Sequence, residues 1–549
     1  MEAAAPRATP ASRIPRTTGV LIAGGGPVGS ALAVDLAARG VGCLVVERRT
    51  TINRAIKAQQ LSSPSMEQLA RWGLADELRR RTPELSHASI WFRGPLADEP
   101  LGEVSWVAPD PAQVAELPHI AAQWQVNALL RERAVDSGVP HALGWTLEAV
   151  RQHEDGATVA LRSTETDEAV EVEAAYVVGA DGAHSRTRAA AGIELVESEL
   201  LARHYNLVVR MPDLVERLGG EPTRMNLIWQ PDWHSIAHTV GAETDVWRQL
   251  IGPFPVDHEL DDDAAVPLMR RSVGVGVGVE VEVLQRSSFP IQERIAERYD
   301  SGRVLLAGDA AHLFPPYMGQ NMNTGIGDAT NLGWKLAALL HGWGGPSLLT
   351  SYTVERRAVA RRTAASSIAA WRTMLSVQDV VREEGLPPSG SPDEVRRRLT
   401  ERMNAMSAIE WNTDGVLLDH RYAGSPIIVD DGVPARPWEH TEYRPQAKPG
   451  HRLPHRRLAD GASVYASVGE GFTLANLSAG VDVVDAAVRA AAAAGVPLAV
   501  ADLRPHGLRD AYEADLVLVR PDLHVAWRGE RVPDEVWDVV RGAAPEPAA

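Results

Sequence analysis

The glycine-rich segment at residues 24–29, GGGPVG, constrains the fold of this chain more than any other feature. An apolar run, residues 19–23, precedes it, and a helix-like stretch follows it as far as Gly40. A second apolar run at residues 41–46 completes a strand–helix–strand order within about 30 residues. This order predicts a β-α-β unit with parallel strands, and therefore an α/β fold in which helices cover a sheet.

Each residue of the motif has a physical role in binding a phosphorylated ligand. Gly24 permits a tight turn, and Gly26 lets the backbone approach a pyrophosphate. Gly29 lets the helix pack closely on the strand. Pro27 and Val28 open the helix, whose N-terminus presents free N–H groups and the positive end of a dipole to phosphate. We therefore expect a dinucleotide cofactor at this turn.

An acidic residue follows the motif at the end of the second strand. Glu47 lies about 20 residues beyond the glycines, where a carboxylate can accept hydrogen bonds from ribose hydroxyls. Such a carboxylate favours an adenosine ribose with a free 2′-OH, as in FAD or NAD, over a 2′-phosphate. The neighbouring Arg48 weakens this distinction, since a cation at this place tolerates a 2′-phosphate.

A second polar segment follows another apolar strand, residues 304–307. Gly308 and Asp309 stand at the end of that strand, where the Asp309 carboxylate can accept hydrogen bonds from a polyol chain. A loop stiffened by proline follows, and a segment rich in glycine and asparagine then opens a long helix, whose N-terminus would stabilise negative charge. The further residues predicted to contact the cofactor here are Pro316, Gly319, Gln320, Asn321, Met322 and Asn323.

Together with a third motif, these segments resemble the cofactor motifs of a known family. Residues 304–325 are similar to the GD motif and flavin loop of the class A flavoprotein monooxygenases, the para-hydroxybenzoate hydroxylase-like enzymes. Residues 176–186, which contain Asp181, are similar to the DG motif of that family. Since that motif serves both FAD and NAD(P)H, the resemblance assigns Asp181 to cofactor binding.

Further segments resemble one branch of this family. Gln123 and Arg131 lie in a segment similar to the one that binds the flavin side of the cofactor. Lys57 lies in a loop similar to that of the phenol and aromatic-polyketide hydroxylases. Residues 420–422 and 519–522 look like the thioredoxin-like C-terminal domain of the same branch. The resemblance therefore extends over nearly the whole chain.

The resemblance implies an α/β fold in which a Rossmann-like FAD-binding domain is interleaved with a β-sheet substrate domain, followed by a thioredoxin-like domain. The expected boundaries are a disordered tail at 1–17, an FAD-binding domain at 18–84, 126–194 and 301–386, a substrate-binding domain at 85–125 and 195–300, a connecting linker at 387–455, and the thioredoxin-like domain at 456–549. Alternating valine and glycine also predict a strand at residues 273–283. Its glycines mark either a low-complexity sequence or a close approach to the backbone.

The chain departs from the family pattern at a few positions. Pro64 stands where the family usually has an arginine that helps to hold the pyrophosphate, and Arg54 or Lys57 is the available substitute. Met318 and Asn321 replace glycines that are common in the flavin loop, so their side chains would narrow the space near the flavin. The C-terminal domain has no cysteine, which excludes dithiol chemistry there.

Composition narrows the classes of partner. The chain has 55 basic and 72 acidic residues, a net charge of −17, so nucleic acid and anionic membranes are not expected partners. No run approaches the roughly 20 apolar residues that span a bilayer. Cys43 is the single cysteine, which excludes an internal disulfide and favours a reducing compartment. We expect a cytoplasmic monomer or homodimer that binds a small aromatic molecule.

Aromatic residues supply the candidates for a substrate site. The chain has 15 Trp against 9 Tyr and 5 Phe, and this surplus suits stacking on flat ring systems. Trp229, His234 and His238 fall in the expected substrate domain, and Tyr317 stands where the flavin loop would meet that domain. No third ligand follows the two histidines at metal-site spacing, so we expect no metal there. These two histidines either line a pocket of the expected substrate domain or pack in its interior.

The resemblance implies an FAD-dependent aromatic hydroxylase that uses NAD(P)H and O2. NAD(P)H would reduce FAD, O2 would add at flavin C4a, and the hydroperoxide would transfer OH to a phenolic or polycyclic, polyketide-like ring. Because the cofactor carries this chemistry, no catalytic side chain is assigned. The alternatives are a Baeyer–Villiger or epoxidising enzyme on the same scaffold, a flavin-fold binding protein without turnover, and an NAD dehydrogenase.

Overall fold

A computed structural model of the chain describes residues 7–54, 60–82, 90–105, 107–218, 225–240, 243–274, 278–388 and 390–543. Two large sheets, a smaller C-terminal sheet and the helices around them make up most of these residues. No helix in these ranges combines the length and the apolar character that a membrane crossing requires.

The elements are numbered in chain order. The strands are β1 (Thr17–Ala23), β2 (Cys43–Glu47), β3 (Gln60–Leu61), β4 (Ile90–Arg93), β5 (Gly102–Glu103), β6 (His119–Ile120), β7 (His141–Leu143), β8 (Trp145–His153), β9 (Gly156–Ser163), β10 (Ala169–Gly179), β11 (Leu195–Glu197), β12 (Ala202–Arg210), β13 (Met225–Trp229), β14 (His234–Val240), β15 (Glu243–Phe254), β16 (Glu282–Ile291), β17 (Arg294–Ala296), β18 (Asp300–Ser301), β19 (Val304–Leu306), β20 (His312–Leu313), β21 (Phe472–Asn476), β22 (Leu498–Asp502), β23 (Leu516–Val519) and β24 (Val525–Gly529). The α-helices are α1 (Pro27–Ala38), α2 (Ser63–Arg71), α3 (Ala75–Arg81), α4 (Gln123–Asp136), α5 (Arg186–Ala190), α6 (Leu214–Arg217), α7 (Asp262–Val273), α8 (Asn321–Leu340), α9 (Ser347–Glu384), α10 (Asp393–Trp411), α11 (Asp414–Leu418), α12 (Val481–Ala493), α13 (Arg509–Tyr512) and α14 (Glu535–Val540).

The first large sheet contains the predicted β-α-β unit. Its order is β18-β19-β10-β1-β2-β7, and β8 and β9 extend it from β10. Strand β1 pairs in parallel with β2 and β10, and β10 pairs in parallel with β19. Helices α1, α4 and α8 cover one face of this sheet and form an apolar core with it. The glycine turn after β1, the segment with Asp181 after β10 and the GD segment after β19 therefore lie at the carboxyl ends of three adjacent parallel strands, where such sheets bind ligands.

The second large sheet is mostly antiparallel and has the order β16-β12-β15-β14-β13-β4-β5. Helix α7 packs on one face of this sheet. Helices α9 and α10 pack on the other face together with Tyr317 and Met318. The flavin loop of the first unit thus lies against the second sheet, as the resemblance implied.

The C-terminal unit is built on the order β22-β21-β23-β24. Strands β21 and β22 are parallel and are joined by α12, whereas β23 and β24 pair antiparallel. This βαβ unit followed by a hairpin and α14 is the predicted thioredoxin-like arrangement. Ala447 and Leu453 already belong to its core, which begins before the predicted residue 456.

The chain before β1 is ordered, so the prediction of a disordered tail is wrong for residues 9–14. Trp145 is fully buried, and its indole N–H donates to the Thr9 carbonyl at 2.7 Å. Ala11 and Ile14 are 9% and 4% exposed and pack behind the first sheet. The segment folds because it satisfies a buried donor and covers apolar surface. Residues 1–6 lie outside the described residues.

The strand predicted at residues 273–283 is wrong over most of its length. Val273 is the last residue of α7, which ends at Gly274 with a φ of +128°. The strand begins only at Glu282, which pairs with Arg210 at the end of β12. Residues 278–281 have no partner strand in the described part of the chain. The alternation of residue types alone supplies no hydrogen-bond partner. Residues 275–277 lie outside the described residues.

The predicted linker at 387–455 contains the long helix α10, which packs on α9 and on the second sheet. Met403 and Ser407 are fully buried, and Glu410 is 6% exposed. The polar stretch at residues 395–402 of this helix is mostly exposed. The stripe of Met403, Met406 and Ile409 behind it, at helical spacing, determines the packing.

A buried ion network joins the C-terminal unit to the helices of the first sheet. Arg520 donates to both carboxylate oxygens of Glu355 on α9, at 2.6 and 2.9 Å, and to Asp522 at 2.6 Å. Lys335 on α8 donates to Glu355 at 2.7 Å. Burial alone would raise the pKa of Glu355, but the charges of Arg520 and Lys335 lower it to about 2. The network is therefore ionised at neutral pH.

We expect Arg520→Met to lower the free energy of unfolding by about 3–5 kcal/mol, because Glu355 and Asp522 then stay buried without the arginine they share, and Lys335 pairs with Glu355 alone. Urea unfolding followed by tryptophan fluorescence measures this change. Arg504→Met is the control, since Arg504 and Asp502 form an exposed pair whose loss changes stability little. Equal effects of the two variants would contradict the central role of the buried network.

Candidate functional site

The glycine turn between β1 and α1 leaves space for a ligand at one position. A Cβ on Gly24, where φ is +108°, would lie 2.3 Å from the Ala180 carbonyl oxygen. A Cβ on Gly29 would lie 1.9 Å from the Gly24 carbonyl oxygen, so both glycines are required by packing. A Cβ on Gly26 meets nothing within 4 Å, although Gly26 caps α1. The open space at the α1 N-terminus fits a pyrophosphate.

Glu47 lies beside this turn at the end of β2. Its carboxylate accepts hydrogen bonds from the backbone N–H groups of Gly25 at 2.8 Å and Arg49 at 2.9 Å. Arg131 on α4 lies close enough to interact with it, since burial lowers the pKa of Arg131 and the Glu47 charge opposes that shift. Two further predicted cofactor residues are Gln123 and Arg48. Gln123 is the first residue of α4, and the Arg48 side chain is exposed.

The GD segment meets the glycine turn directly. Gly308 has a φ of +60°, and a Cβ there would lie 2.9 Å from Cγ2 of Val28 on α1. The Gly308 N–H donates to Asp328 on α8 at 3.0 Å, which fixes the turn. Asp309 follows in the same turn with an exposed side chain. The structure therefore brings the two predicted cofactor motifs together.

Asp181 stabilises its own loop. Its carboxylate accepts hydrogen bonds from the backbone N–H and the hydroxyl of Thr187, both at 3.0 Å, and from the Ser185 hydroxyl. These contacts hold the start of α5 near the end of β10. Its predicted contact with the cofactor stays a prediction.

Amide side chains brace the flavin loop. Asn323 donates to the carbonyls of Gln60 at 3.0 Å and Gly319 at 2.9 Å, and its oxygen accepts from Ser62 and Ser65. Gln320 donates to the Met318 carbonyl at 2.6 Å. In the same way Asn321 donates to the Phe314 carbonyl at 2.9 Å. Of the other two predicted loop residues, Met322 is buried in the apolar core, and Pro316 is half-buried. The side chains of these amides therefore bind the protein itself, which leaves the loop backbone to face a ligand.

Met318 adopts a conformation that suits glycine. Its φ is +62°, and left-handed backbone costs a residue with a side chain roughly 1–2 kcal/mol. Glycine adopts this conformation without that cost, which agrees with the glycine that the resemblance leads us to expect at residue 318. The Met318 N–H donates to Oε1 of Glu410 on α10 at 3.1 Å, a contact that holds the strained residue.

The structure brings three of the four predicted substrate residues together. The Tyr317 hydroxyl lies 3.2 Å from Nε2 of His234, and the Trp229 ring lies 5.0 Å from the His234 ring. His238 lies further along β14, and its Nδ1 pairs with the Thr239 carbonyl at 2.9 Å. Among the described residues no group of three His, Cys, Asp or Glu side chains could hold a metal ion. Lys57 lies outside the described residues.

Sequence reasoning missed three buried polar residues at this site, His204, Gln378 and Glu410. His204 Nε2 lies 3.5 Å from the Tyr317 hydroxyl, and Gln378 Oε1 lies 3.2 Å from His234 Nδ1. A polar residue inside an apolar strand or helix is the available signal, but it does not show which partner the residue meets.

Glu410 has an uncompensated buried carboxyl. Its Oε2 has no hydrogen-bond partner among the described residues, and apolar side chains of α9, α10 and the second sheet surround it. Burial raises the pKa of Glu410 from 4.5 to about 8, and the bond from the Met318 N–H opposes this shift only in part. The carboxyl is therefore neutral at pH 7.

The neutral Glu410 predicts a pH-dependent stability. Between pH 4.5 and 8 the unfolded chain ionises this carboxyl and the folded chain does not, so stability decreases as pH rises through this window. Relative to Glu410→Gln, the wild type should lose about 1.4 kcal/mol of unfolding free energy per pH unit. Urea unfolding of both proteins at pH 5, 6, 7 and 8 measures the difference. Parallel curves for the two proteins would show that Glu410 is ionised in the fold.

Comparisons with known proteins agree with this geometry. Residues 17–367 match the family model of the FAD binding domain, and residues 446–544 match that of the aromatic-ring hydroxylase C-terminal domain. The FAD-dependent monooxygenase apdD of Emericella nidulans is 30% identical over 93% of this chain and 88% of its own length. The dialkyldecalin synthase of Streptomyces rugosporus is 35% identical over 66% of this chain and 74% of its own length.

A solved structure extends the likeness to the whole fold. Chromopyrrolic acid-soaked RebC with bound 7-carboxy-K252c is 32% identical and covers 97% of this chain and 100% of that chain, with a TM-score of 0.85. The predicted family and fold class are thereby confirmed. The chain belongs to the family of FAD-dependent aromatic-ring hydroxylases.

Proposed function

We propose that this protein hydroxylates a phenolic or polycyclic, polyketide-like aromatic substrate with FAD, NAD(P)H and O2. The observation that carries the proposal is the position of the flavin loop between the two large sheets. On one side, Gly308 lies so close to Val28 of α1 that a Cβ on this glycine would be 2.9 Å from Cγ2 of Val28. On the other side, Tyr317 contacts His234 of the second sheet. A ring bound by the second sheet would therefore lie next to a flavin held by the first.

The residues of the first sheet fit FAD. The open space at Gly26 and the α1 N-terminus would hold the pyrophosphate, and Glu47 would accept hydrogen bonds from the adenosine ribose. Asp309 would accept hydrogen bonds from the ribityl chain. When bound, reduced FAD supplies the activation of O2 and the transfer of one oxygen atom. The protein orients the ring and excludes water around this chemistry.

The environment of Tyr317 supports a polycyclic substrate with several oxygen atoms. The indole N–H groups of Trp229 and Trp371 have no partner among the described residues, and both rings belong to the apolar cluster that contains Tyr317. Buried donors of this kind normally have partners. Carbonyl or hydroxyl oxygens on an aromatic ligand would accept hydrogen bonds from these two N–H groups. The rings of the ligand would pack against the apolar side chains around them.

The direct test measures oxidation of NADH and of NADPH by the purified flavoprotein in air. The panel of ring compounds holds phenol, 1-naphthol and hydroxyanthraquinones, with product mass and structure determined for each. We expect substrate-dependent oxidation and one added hydroxyl oxygen. A lactone or epoxide would favour the alternative oxygenations, and a rearranged product without added oxygen would favour a synthase, in line with the name of the Streptomyces rugosporus relative. Any of these outcomes would overturn hydroxylation.

We expect Gly26→Val to abolish FAD binding and leave the fold intact. A Cβ at this position meets no protein atom within 4 Å, and the valine side chain would occupy the space that the pyrophosphate needs. Quenching of flavin fluorescence on titration with FAD measures the affinity, and circular dichroism reports folding. Gly42→Val is the matched control, because a Cβ on Gly42 also meets nothing within 4 Å but lies before β2. Unchanged FAD affinity in Gly26→Val would mean that this glycine only makes the turn.

A further inference from the structure

A chain of buried hydrogen bonds runs from the flavin loop through the second sheet. The Tyr317 hydroxyl lies 3.2 Å from His234 Nε2 and 3.5 Å from His204 Nε2. On its other side, His234 Nδ1 lies 3.2 Å from Gln378 Oε1, and Gln378 Nε2 donates to the carbonyl of Gln230. His204 and His234 are 1% and 3% exposed, so water does not compete for these bonds.

The Gln230 carbonyl fixes which group donates and which accepts in every hydrogen bond of this series. A carbonyl oxygen can only accept, so the amide nitrogen of Gln378 must face it and the amide oxygen must face His234. An amide oxygen also only accepts, so His234 carries its hydrogen on Nδ1. Each bond thus dictates the direction of the next.

The position of the hydrogen on His234 determines that the Tyr317 hydroxyl is the donor in the bond between them. Burial lowers the pKa of His234 to about 4, so the ring is neutral and has a single N–H. Because that hydrogen is on Nδ1, Nε2 is an acceptor, and the Tyr317 hydroxyl donates to it. The Tyr317 oxygen can then only accept from its other neighbour, His204.

His204 is the last residue in this series of hydrogen bonds, and its Nδ1 is an acceptor that no described residue uses. Burial, and then the neighbouring His234, hold its pKa well below the ordinary range, so this ring is also neutral. Its hydrogen belongs on Nε2, which faces the Tyr317 oxygen, and Nδ1 therefore has a bare lone pair. This nitrogen has no partner among the described residues, although it is buried. Buried polar atoms without partners are rare in folded proteins.

The surroundings of His204 hold its ring in one orientation. The ring stacks on Phe289 at a centroid distance of 5.8 Å with an interplanar angle of 17°. A Cβ on Gly252 would lie 1.9 Å from Cδ2 of His204, so this glycine makes room for the ring. The free Nδ1 therefore has a fixed direction and cannot rotate to find a partner within the protein.

We propose that His204 Nδ1 accepts a hydrogen bond from the hydroxyl of the aromatic substrate. This inference rests on the proposed function, because it assigns the missing donor to a phenolic ligand bound beside Tyr317. His204 is then a substrate-positioning residue that selects rings with an O–H donor. Because burial, and then His234, hold the pKa of His204 well below the ordinary range, the ring orients the hydroxyl without removing its proton.

Two substitutions of His204 separate its two nitrogens. Gln places its amide near the Nε2 position and so keeps a donor to Tyr317, but it leaves nothing at Nδ1. Asn places its amide near the Nδ1 position and so keeps an acceptor there. The probes are 1-naphthol and 1-methoxynaphthalene, which differ in the hydroxyl hydrogen. Binding to the oxidised FAD holoenzyme is followed by the change in flavin absorbance.

We expect the wild type to bind 1-naphthol about tenfold more tightly than the methyl ether, the preference that one net hydrogen bond gives. His204→Gln should reduce this ratio to within about twofold, and His204→Asn should keep most of it. His455→Gln is the control, since His455 is also buried with an unpartnered nitrogen but lies in the C-terminal unit. It should keep the full ratio.

The inference is overturned if His204→Gln keeps the tenfold preference, or if the wild type binds both probes equally or binds neither. Flavin content is measured first for each variant, so loss of cofactor is not mistaken for loss of the preference. The result is separate from the proposed function, which fails when the holoenzyme forms no hydroxylated product from any ring compound. Hydroxylation with an unchanged preference in His204→Gln contradicts only the role of His204.

Discussion

The ion pair between Asp328 and Arg356 fixes the part of the molecule on which the site depends. Arg356 on α9 donates to Asp328 at 2.7 Å, and both side chains are at most 1% exposed. The second oxygen of Asp328 accepts from the Gly308 N–H and pairs with His312 at 2.7 Å. One buried carboxylate thus sets the turn at Asp309 and the start of the flavin loop. Its pKa is lowered because His312 and Arg356 outweigh the effect of burial.

The same helices carry the C-terminal unit. Glu355, one residue before Arg356, binds Arg520 of that unit and Lys335 of α8. Tyr422 stacks on His524 at 3.9 Å and also accepts a hydrogen bond from Arg356 at 3.3 Å. The C-terminal unit has no cysteine, and Asp522 and Arg520 of this unit bind Asn331 on α8 and Glu355 on α9. Helix α9 then extends to the second sheet, so a single helix connects all three units.

Polar groups buried between the sheets distinguish this site from an apolar core. Glu410 is neutral because burial raises its pKa to about 8, and Met318 is strained because its φ of +62° suits glycine. Evolution tolerates such costs most readily at functional sites. The bond between Met318 and Glu410 couples these two features, so that α10 holds the loop in the conformation that brings Tyr317 to His234.

The sequence by itself determined the cofactor unit, because its motifs are local. Gly24 and Gly29 shape the turn between a strand and a helix that are adjacent in sequence, so the turn can be predicted without the rest of the chain. The GD segment likewise lies directly between its own strand and loop. Only the tertiary structure decided the substrate side. His204, Gln378 and Glu410 come from β12, α9 and α10, elements far apart in the chain, and each matters through a partner on another element. The strand predicted at 273–283 was wrong for the same physical reason: whether a segment joins a sheet depends on the strand beside it, which here ends at Arg210.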